Sequence, residues 1–283
     1  MKVLVTGGAG FVGTNLIKRL LKDGHEVVSI DNYSSGKRKN EQDGCLYYDY
    51  DLSYNYIRDD GDRYDVIFHL AALARIQPSL KDPYKIIFNN FISTLNVLEY
   101  ARENNIRFVY AGSSSFHHGL YESPYAWSKF SGEDLCKLYS NVYDMDTVIC
   151  RFYNVYGPHQ IESGTYCTLL GIFERQYREG NPLTVVGKGT QRRDFTHVDD
   201  IVDGLVKCSE QPFRAEIFEL GRGKNYSINE IADMFGKDYP KEYIPPRLGE
   251  YDVTLADSSL ARNALGWVPT KDIKAYIRRV IND

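Results

Sequence analysis

The residues best placed to do chemistry in this chain are Tyr125 and Lys129, in the run Tyr125-Ala126-Trp127-Ser128-Lys129. Four apart on a helix, they share one face. Pro124, just before them, suits a helix's first turn. Tyrosine titrates at about 10 and is a poor base at neutral pH. A neighbouring ammonium favours the phenolate and lowers that value. A tyrosine tuned this way takes a proton from an alcohol while hydride leaves the same carbon. Upstream, Ser113-Ser114-Ser115 ends an apolar run, where hydroxyls at a strand end would meet a substrate.

Hydride chemistry needs an acceptor, and residues 1–31 supply a seat for one. Gly7, Gly10 and Gly13 follow an apolar run and open a helical pattern carried by Phe11, Val12, Leu16, Ile17, Leu20 and Leu21. Glycines permit the tight turn and let a phosphate reach the backbone N–H groups. The helix start adds free donors and partial positive charge for a pyrophosphate. A second apolar run ends in Asp31, where a carboxylate accepts from a ribose 2′-hydroxyl and would repel a 2′-phosphate. The cofactor expected is therefore NAD rather than NADP, and its positive nicotinamide ring is a second influence favouring a Tyr125 phenolate.

These residues need a sheet to position them. Residues 1–5, 26–30, 45–48, 64–70, 107–111 and 146–152 read as strands, the innermost of them continuously apolar as in a parallel sheet. Helices follow Gly10, cover 83–104 and begin at Tyr125. Beyond 152 the pattern is mixed. Strands are expected at 183–186 and 217–220, and helices near 166–179, 198–208 (led by Thr196), 227–235, 258–265 and 271–281. Ser227 and Glu230 read as a capping box. The fold expected is α/β: a doubly wound parallel sheet of Rossmann type over 1–155, with a return segment near 190–222. A smaller mixed α/β lobe for the substrate occupies 156–283 and is discontinuous. Ala71 and Ala72 leave room for a ligand at a strand end. Asp51 is either an acceptor for an adenine amino group or a solvated loop acid. His69 reads as a core residue at a strand end, and His117-His118 as loop, not metal site. Among Asn89, Asn90, Thr94 and Asn96, one side chain should face the site.

Composition narrows the class. At 43% apolar and 25% charged the chain matches an ordinary globular protein. A net charge of −4 speaks against a nucleic-acid partner, and an anionic ligand must find a local Arg or Lys cluster. Cys45, Cys136, Cys150, Cys167 and Cys208 lack metal-ligand spacing and read as reduced thiols, which points to the cytoplasm. No run reaches membrane-spanning length, and no membrane partner is expected.

Taken in order, TGGAGFVG at 6–13, DN at 31–32, HLAA at 69–72, SSS at 113–115, YAWSK at 125–129, RFYNVYGP at 151–158, RRDFTHVDD at 192–200, RLGE at 247–250 and LARNALGW at 260–267 carry a resemblance. The chain resembles the extended short-chain dehydrogenases/reductases, in the branch of NAD-dependent nucleotide-sugar epimerases and dehydratases. The resemblance implies that Gly7, Gly10, Phe11, Val12, Gly13, Asp31, Asn32, Asp51, Leu52, Ala71, Ala72 and Asn90 contact NAD. It makes Tyr125 and Lys129 the catalytic pair and has Tyr153 close the nicotinamide pocket. Counting back from Gly119, it puts the catalytic hydroxyl on Ser114, between Ser113 and Ser115. It implies that Asn154, Arg193 and Arg247 hold the substrate's nucleotide diphosphate, a task that suits the planar fork of arginine.

The resemblance also bears on the reaction. Branch members that eliminate water or carbon dioxide carry a carboxylate one or two residues past the catalytic hydroxyl; here those positions are Ser115 and Phe116. That favours 4-epimerisation of a UDP-glucose/UDP-galactose type sugar, or an N-acetyl or acidic analogue, through a transient 4-keto sugar. A dehydratase, decarboxylase or reductase of the same fold is the alternative, and a non-catalytic NAD-binding regulator a further one. Ten residues separate Ser114 from Tyr125, fewer than is usual in the family. Helices near 84–103 and 125–142 pair into a dimer interface in relatives, which implies a homodimer. Leu95, Leu98, Leu135, Leu138, Tyr139 and Val142 either supply that interface or pack on the sheet.

Overall fold

In the computed structural model, which describes residues 1–57 and 63–282, the chain runs through β1 (Lys2–Thr6), α1 (Phe11–Lys22), β2 (Glu26–Asp31), β3 (Cys45–Asp49) and β4 (Val66–His69). It continues through α2 (Ile76–Lys81), α3 (Pro83–Glu103), β5 (Arg107–Ser113), α4 (Pro124–Tyr143), β6 (Thr147–Phe152) and β7 (Asn154–Tyr156). Then come α5 (Leu169–Arg178), β8 (Leu183–Val186), β9 (Arg192–His197), α6 (Val198–Ser209) and β10 (Arg214–Leu220). The last elements are β11 (Asn225–Ser227), α7 (Ile228–Met234), β12 (Lys241–Ile244), α8 (Ser259–Leu265) and α9 (Ile273–Asn282).

Seven strands form one parallel sheet in the order β10-β6-β5-β4-β1-β2-β3. Val3, Leu4, Val5, Ile67 and Phe68 are fully buried, the apolar run of strands covered on both faces. The order reverses beside β1, with β2 on one side and β4 on the other, and a ligand binds outside the carboxyl ends of strands at such a point. This is the doubly wound Rossmann arrangement. One face is filled by Leu16, Ile17 and Leu20 of α1 with Ile201 and Leu205 of α6. The other is filled by Val97 and Leu98 of α3 with Cys136 and Tyr139 of α4. A third cluster, built on Tyr156, Phe173, Ile231 and Ile277, is the core of the smaller lobe.

Side chains set the helix starts. Asp82 accepts from the Lys85 N–H ahead of Pro83, and Ser123 accepts from the Ala126 N–H ahead of α4. The Ser227–Glu230 capping box is formed. Thr168 caps α5, so that helix starts at Leu169 rather than near 166. Helix α6 is capped by His197, not led by Thr196. Five short elements have no counterpart in the sequence reading: α2, the strands β7, β9 and β11 of a three-stranded sheet, and β12, which pairs with β8. Strands of three residues, as β7 and β11 are, carry too little pattern to show a period, and β9 is a polar run whose pairing is tertiary. The C-terminal segment returns to the large sheet. Trp267 is fully buried against it and donates to the Asp200 carbonyl at 2.8 Å. Among the described residues no helix is long and apolar enough to cross a membrane.

Candidate active site

The glycine turn between β1 and α1 is closed to side chains. Gly7 has φ +75°, and a Cβ there would lie 2.8 Å from the Ala71 nitrogen; one on Gly13 would lie 2.2 Å from the Gly7 carbonyl oxygen. Ala71 thus belongs to the turn's packing. Asp31 ends β2 with one carboxylate oxygen accepting from the Ala9 N–H (2.9 Å) and the other from the Tyr33 N–H (2.7 Å). Burial raises its pKa, and those two bonds oppose the rise. Each oxygen keeps a further lone pair for a ribose hydroxyl. Asn32 donates to Asp51 at 2.8 Å, and Ser53 donates to it from both backbone and hydroxyl. Burial pulls Asp51 up, but these bonds outweigh it and hold the group below the usual carboxylate range. The open glycine turn, the buried acid at the second strand's end and the small residues after β4 fit a dinucleotide.

All these groups open into one cavity of about 490 Å³. Around the glycine turn it is lined by Gly7, Gly10, Phe11, Val12, Gly13, Asp31, Asn32, Asp51, Leu52, Ala71 and Ala72, all expected at NAD. Asn90 is placed differently. Its amide accepts from the Leu73 N–H (2.8 Å) and donates to the Leu73 carbonyl and the Ser128 hydroxyl. It clamps the segment after β4 to α4, while Asn89 and Ser93 line the cavity. His69 is a core residue: between Thr6 (2.8 Å) and Thr94 (3.1 Å), burial drives its pKa down to about 3.

At the cavity's centre are Tyr125 and Lys129, one turn apart on α4. Burial raises the Tyr125 pKa; a hydrogen bond with Ser113 and the positive charge of Arg75 pull it down. Lys129 is buried with its ammonium 4.3 Å from the centre of the Tyr110 ring. Burial lowers its pKa to about 8, opposed by Glu133. All three serines line the cavity, but the hydroxyl bonded to Tyr125 is that of Ser113, the last residue of β5. Ser115 also bonds Ser113, from its backbone N–H and its hydroxyl. Spacing cannot reveal this, because which serine meets Tyr125 depends on where β5 stops.

Tyr153, expected at the nicotinamide, and Asn154, Arg193 and Arg247, expected at the diphosphate, also line the cavity. The Tyr153 hydroxyl donates to Glu219 at 2.7 Å. Asn154 reaches Thr254 at 3.5 Å. Arg193 is buried and pairs with Glu250 at 2.9 Å; burial lowers its pKa and Glu250 opposes that. Arg247 is exposed. The carboxylates that line the cavity, among the described residues, are Asp31, Asp51 and Glu250. Sequence reasoning passed over Arg75, which also lines this cavity. Its signal was a lone charge at the end of the small apolar run Ala71-Ala72-Leu73-Ala74.

Known proteins match this arrangement. The model of the NAD dependent epimerase/dehydratase family matches residues 3–221. A UDP-glucuronate 4-epimerase of Thermodesulfobacterium geofontis is 33% identical over 99% of this chain and 94% of its own length. A UDP-glucose 4-epimerase of Mycolicibacterium smegmatis is also 33% identical, over 99% of this chain and 97% of its own. The crystal structure of Thermotoga maritima UDP-glucose 4-epimerase with UDP-glucose superposes with a TM-score of 0.91 at 27% identity, covering 100% of this chain and 98% of that one. By the match over residues 3–221 and two relatives aligned almost end to end, this chain belongs to the NAD dependent epimerase/dehydratase family.

Proposed function

We propose that the protein inverts carbon 4 of a UDP-sugar, with NAD as its cofactor. The observation that carries this reading is a cavity in which Tyr125, bonded to Ser113 and one turn from Lys129, has no carboxylate beside it among the described residues. Asp31 and Asp51 line the cavity around the glycine turn, and Glu250 is taken up by Arg193. Whether the catalytic hydroxyl is counted as Ser113 or Ser114, the two residues after it come from Ser114, Ser115 and Phe116, none of them acidic. That disfavours the dehydratase or decarboxylase alternative, which needs a second acid or base.

Bound at the glycine turn and Asp31, NAD would supply the hydride acceptor for carbon 4 and the source of the hydride returned to the other face of the flat 4-keto sugar. Tyr125 removes the proton of the 4-hydroxyl and later gives it back. Lys129 holds a positive charge near the phenolate, and Ser113 donates to it; we assign Ser113 this role, with Ser114 facing the sugar. Asn154, Arg193 and Arg247 hold the diphosphate, at the edge of the lobe formed by α5, β8, α7, β12 and α9. Relatives named for UDP-glucuronate and UDP-glucose support a UDP-sugar. Five cysteines without disulfides fit a reducing compartment, and we place the protein in the cytoplasm as a homodimer.

Incubating the NAD-loaded protein with UDP-galactose, UDP-N-acetylgalactosamine and UDP-galacturonate tests the reading by NMR. At least one should yield its 4-epimer with no external nicotinamide consumed. A net 4-keto product, or no turnover of all three, overturns it.

A further inference from the structure

Arg75 stands in a place that asks for an explanation. Its backbone has φ +121° and ψ +140°, a conformation that residues with a Cβ rarely adopt. Strain of this kind persists only where the surroundings hold it, and it gathers at ligand sites. The side chain lines the cavity that contains Tyr125. Its Nε donates to the Tyr166 carbonyl at 3.3 Å, and among the described residues no carboxylate pairs with it. Burial lowers its pKa, and the groups that oppose this are Tyr125 and Cys167. The half-buried residue has no carboxylate counter-ion among the described residues, and its two terminal nitrogens keep their donors. By contrast Arg193, expected at the diphosphate, already has Glu250.

We propose that Arg75 reads a carboxylate on the hexose, so that the site prefers a nucleotide-linked uronic acid to a neutral sugar. This rests on the UDP-sugar reading above. Tyr125 acts at carbon 4, and the carboxylate of a uronic acid hangs from carbon 5, the adjacent ring atom. Arg75 lines the same cavity as Tyr125, so we set its charge against that substituent. The planar fork of arginine binds a carboxylate through two parallel bonds, whereas a neutral hydroxymethyl group leaves the charge uncompensated. Arg75 is thus a specificity-determining residue, separate from the proton-transfer pair.

The test compares the NAD-loaded wild type with Arg75→Gly and Arg75→Lys. Glycine accepts the +121° φ without strain, so loss of folding does not confuse the result. The kcat/KM for UDP-galacturonate and UDP-galactose is measured, and calorimetry gives the Kd of UDP-glucuronate, UDP-glucose and UDP. The wild type should favour the acidic sugar. In Arg75→Gly the ratio of acidic to neutral kcat/KM should fall about 100-fold, mainly through KM, with Arg75→Lys in between. UDP affinity should hold. If both sugars and UDP weaken alike, Arg75 belongs to the diphosphate and the proposal falls; it also falls if the wild type prefers the neutral sugar. If no sugar is turned over, the epimerase reading fails, and the calorimetric contrast between UDP-glucuronate and UDP-glucose still decides Arg75.

Discussion

Tyr125, the proposed base, shows how little a residue's identity says without its neighbours. Burial alone would make it a worse base than a free tyrosine, and only the Ser113 bond and nearby positive charge oppose that. Removing the bond should raise its pKa further. Ser113→Ala should therefore lower kcat by at least about tenfold and move the rising limb of the pH–rate profile to higher pH. Ser114→Ala should leave that limb in place. A shift in the second variant and none in the first would return the role to Ser114. Tyr125→Phe should cost about 10³-fold in kcat, read against unchanged thermal unfolding. The sequence made Tyr125 and Lys129 conspicuous because a helix fixes their relation locally. It left the serine ambiguous because Ser113 reaches Tyr125 across two elements.

At the scale of elements, the seam of α5 and α9 carries a titratable group the reaction does not use. Glu174 of α5 is buried and accepts from Gln160 at 2.7 Å, and Gln160 also accepts from the α5 cap, Thr168. Burial lifts its pKa from the usual 4.5 to about 7, against hydrogen bonds with Tyr276 and Gln160. Between those values the unfolded chain has lost this proton and the folded chain has kept it. Stability thus falls as pH rises across the window and is level, for this group, on either side. Thermal unfolding of Glu174→Gln should show a gain over wild type at pH 8 that is absent at pH 4.5. A constant difference at both would show that Glu174 does not titrate in this window. The helix itself was legible from its apolar period; its burial against α9 was not, since residues 169–178 and 273–282 meet only in the folded chain.

Over the whole molecule, the pairing of α3 with α4 divides the six residues named for a dimer. Leu98 and Tyr139 are buried in the sheet-side core, while Leu138 and Val142 of α4 stay 51% and 60% exposed. An exposed apolar pair on a long helix fits a face that meets a second copy. Light scattering should give a mass of twice 32.5 kDa for the wild type and the monomer mass for Leu138→Glu with Val142→Glu. A monomeric wild type would refute the assembly.

The sequence by itself determined the dinucleotide half. The glycine turn, Asp31 and the Tyr125–Lys129 pair are each specified by residues close in the chain. Glycine spacing, strand length and the helical repeat are local properties, so the fold class and the expected seat for NAD followed from them. Tertiary structure alone decided what meets across the cavity. It joined Ser113 to Tyr125, turned Asn90 to Leu73 and Ser128 beneath the cavity, and tied Arg193 to Glu250. It also brought Arg75, on a strained backbone after β4, into the same cavity as Tyr125 on α4. Those relations join residues tens of positions apart, and neither spacing nor period records them.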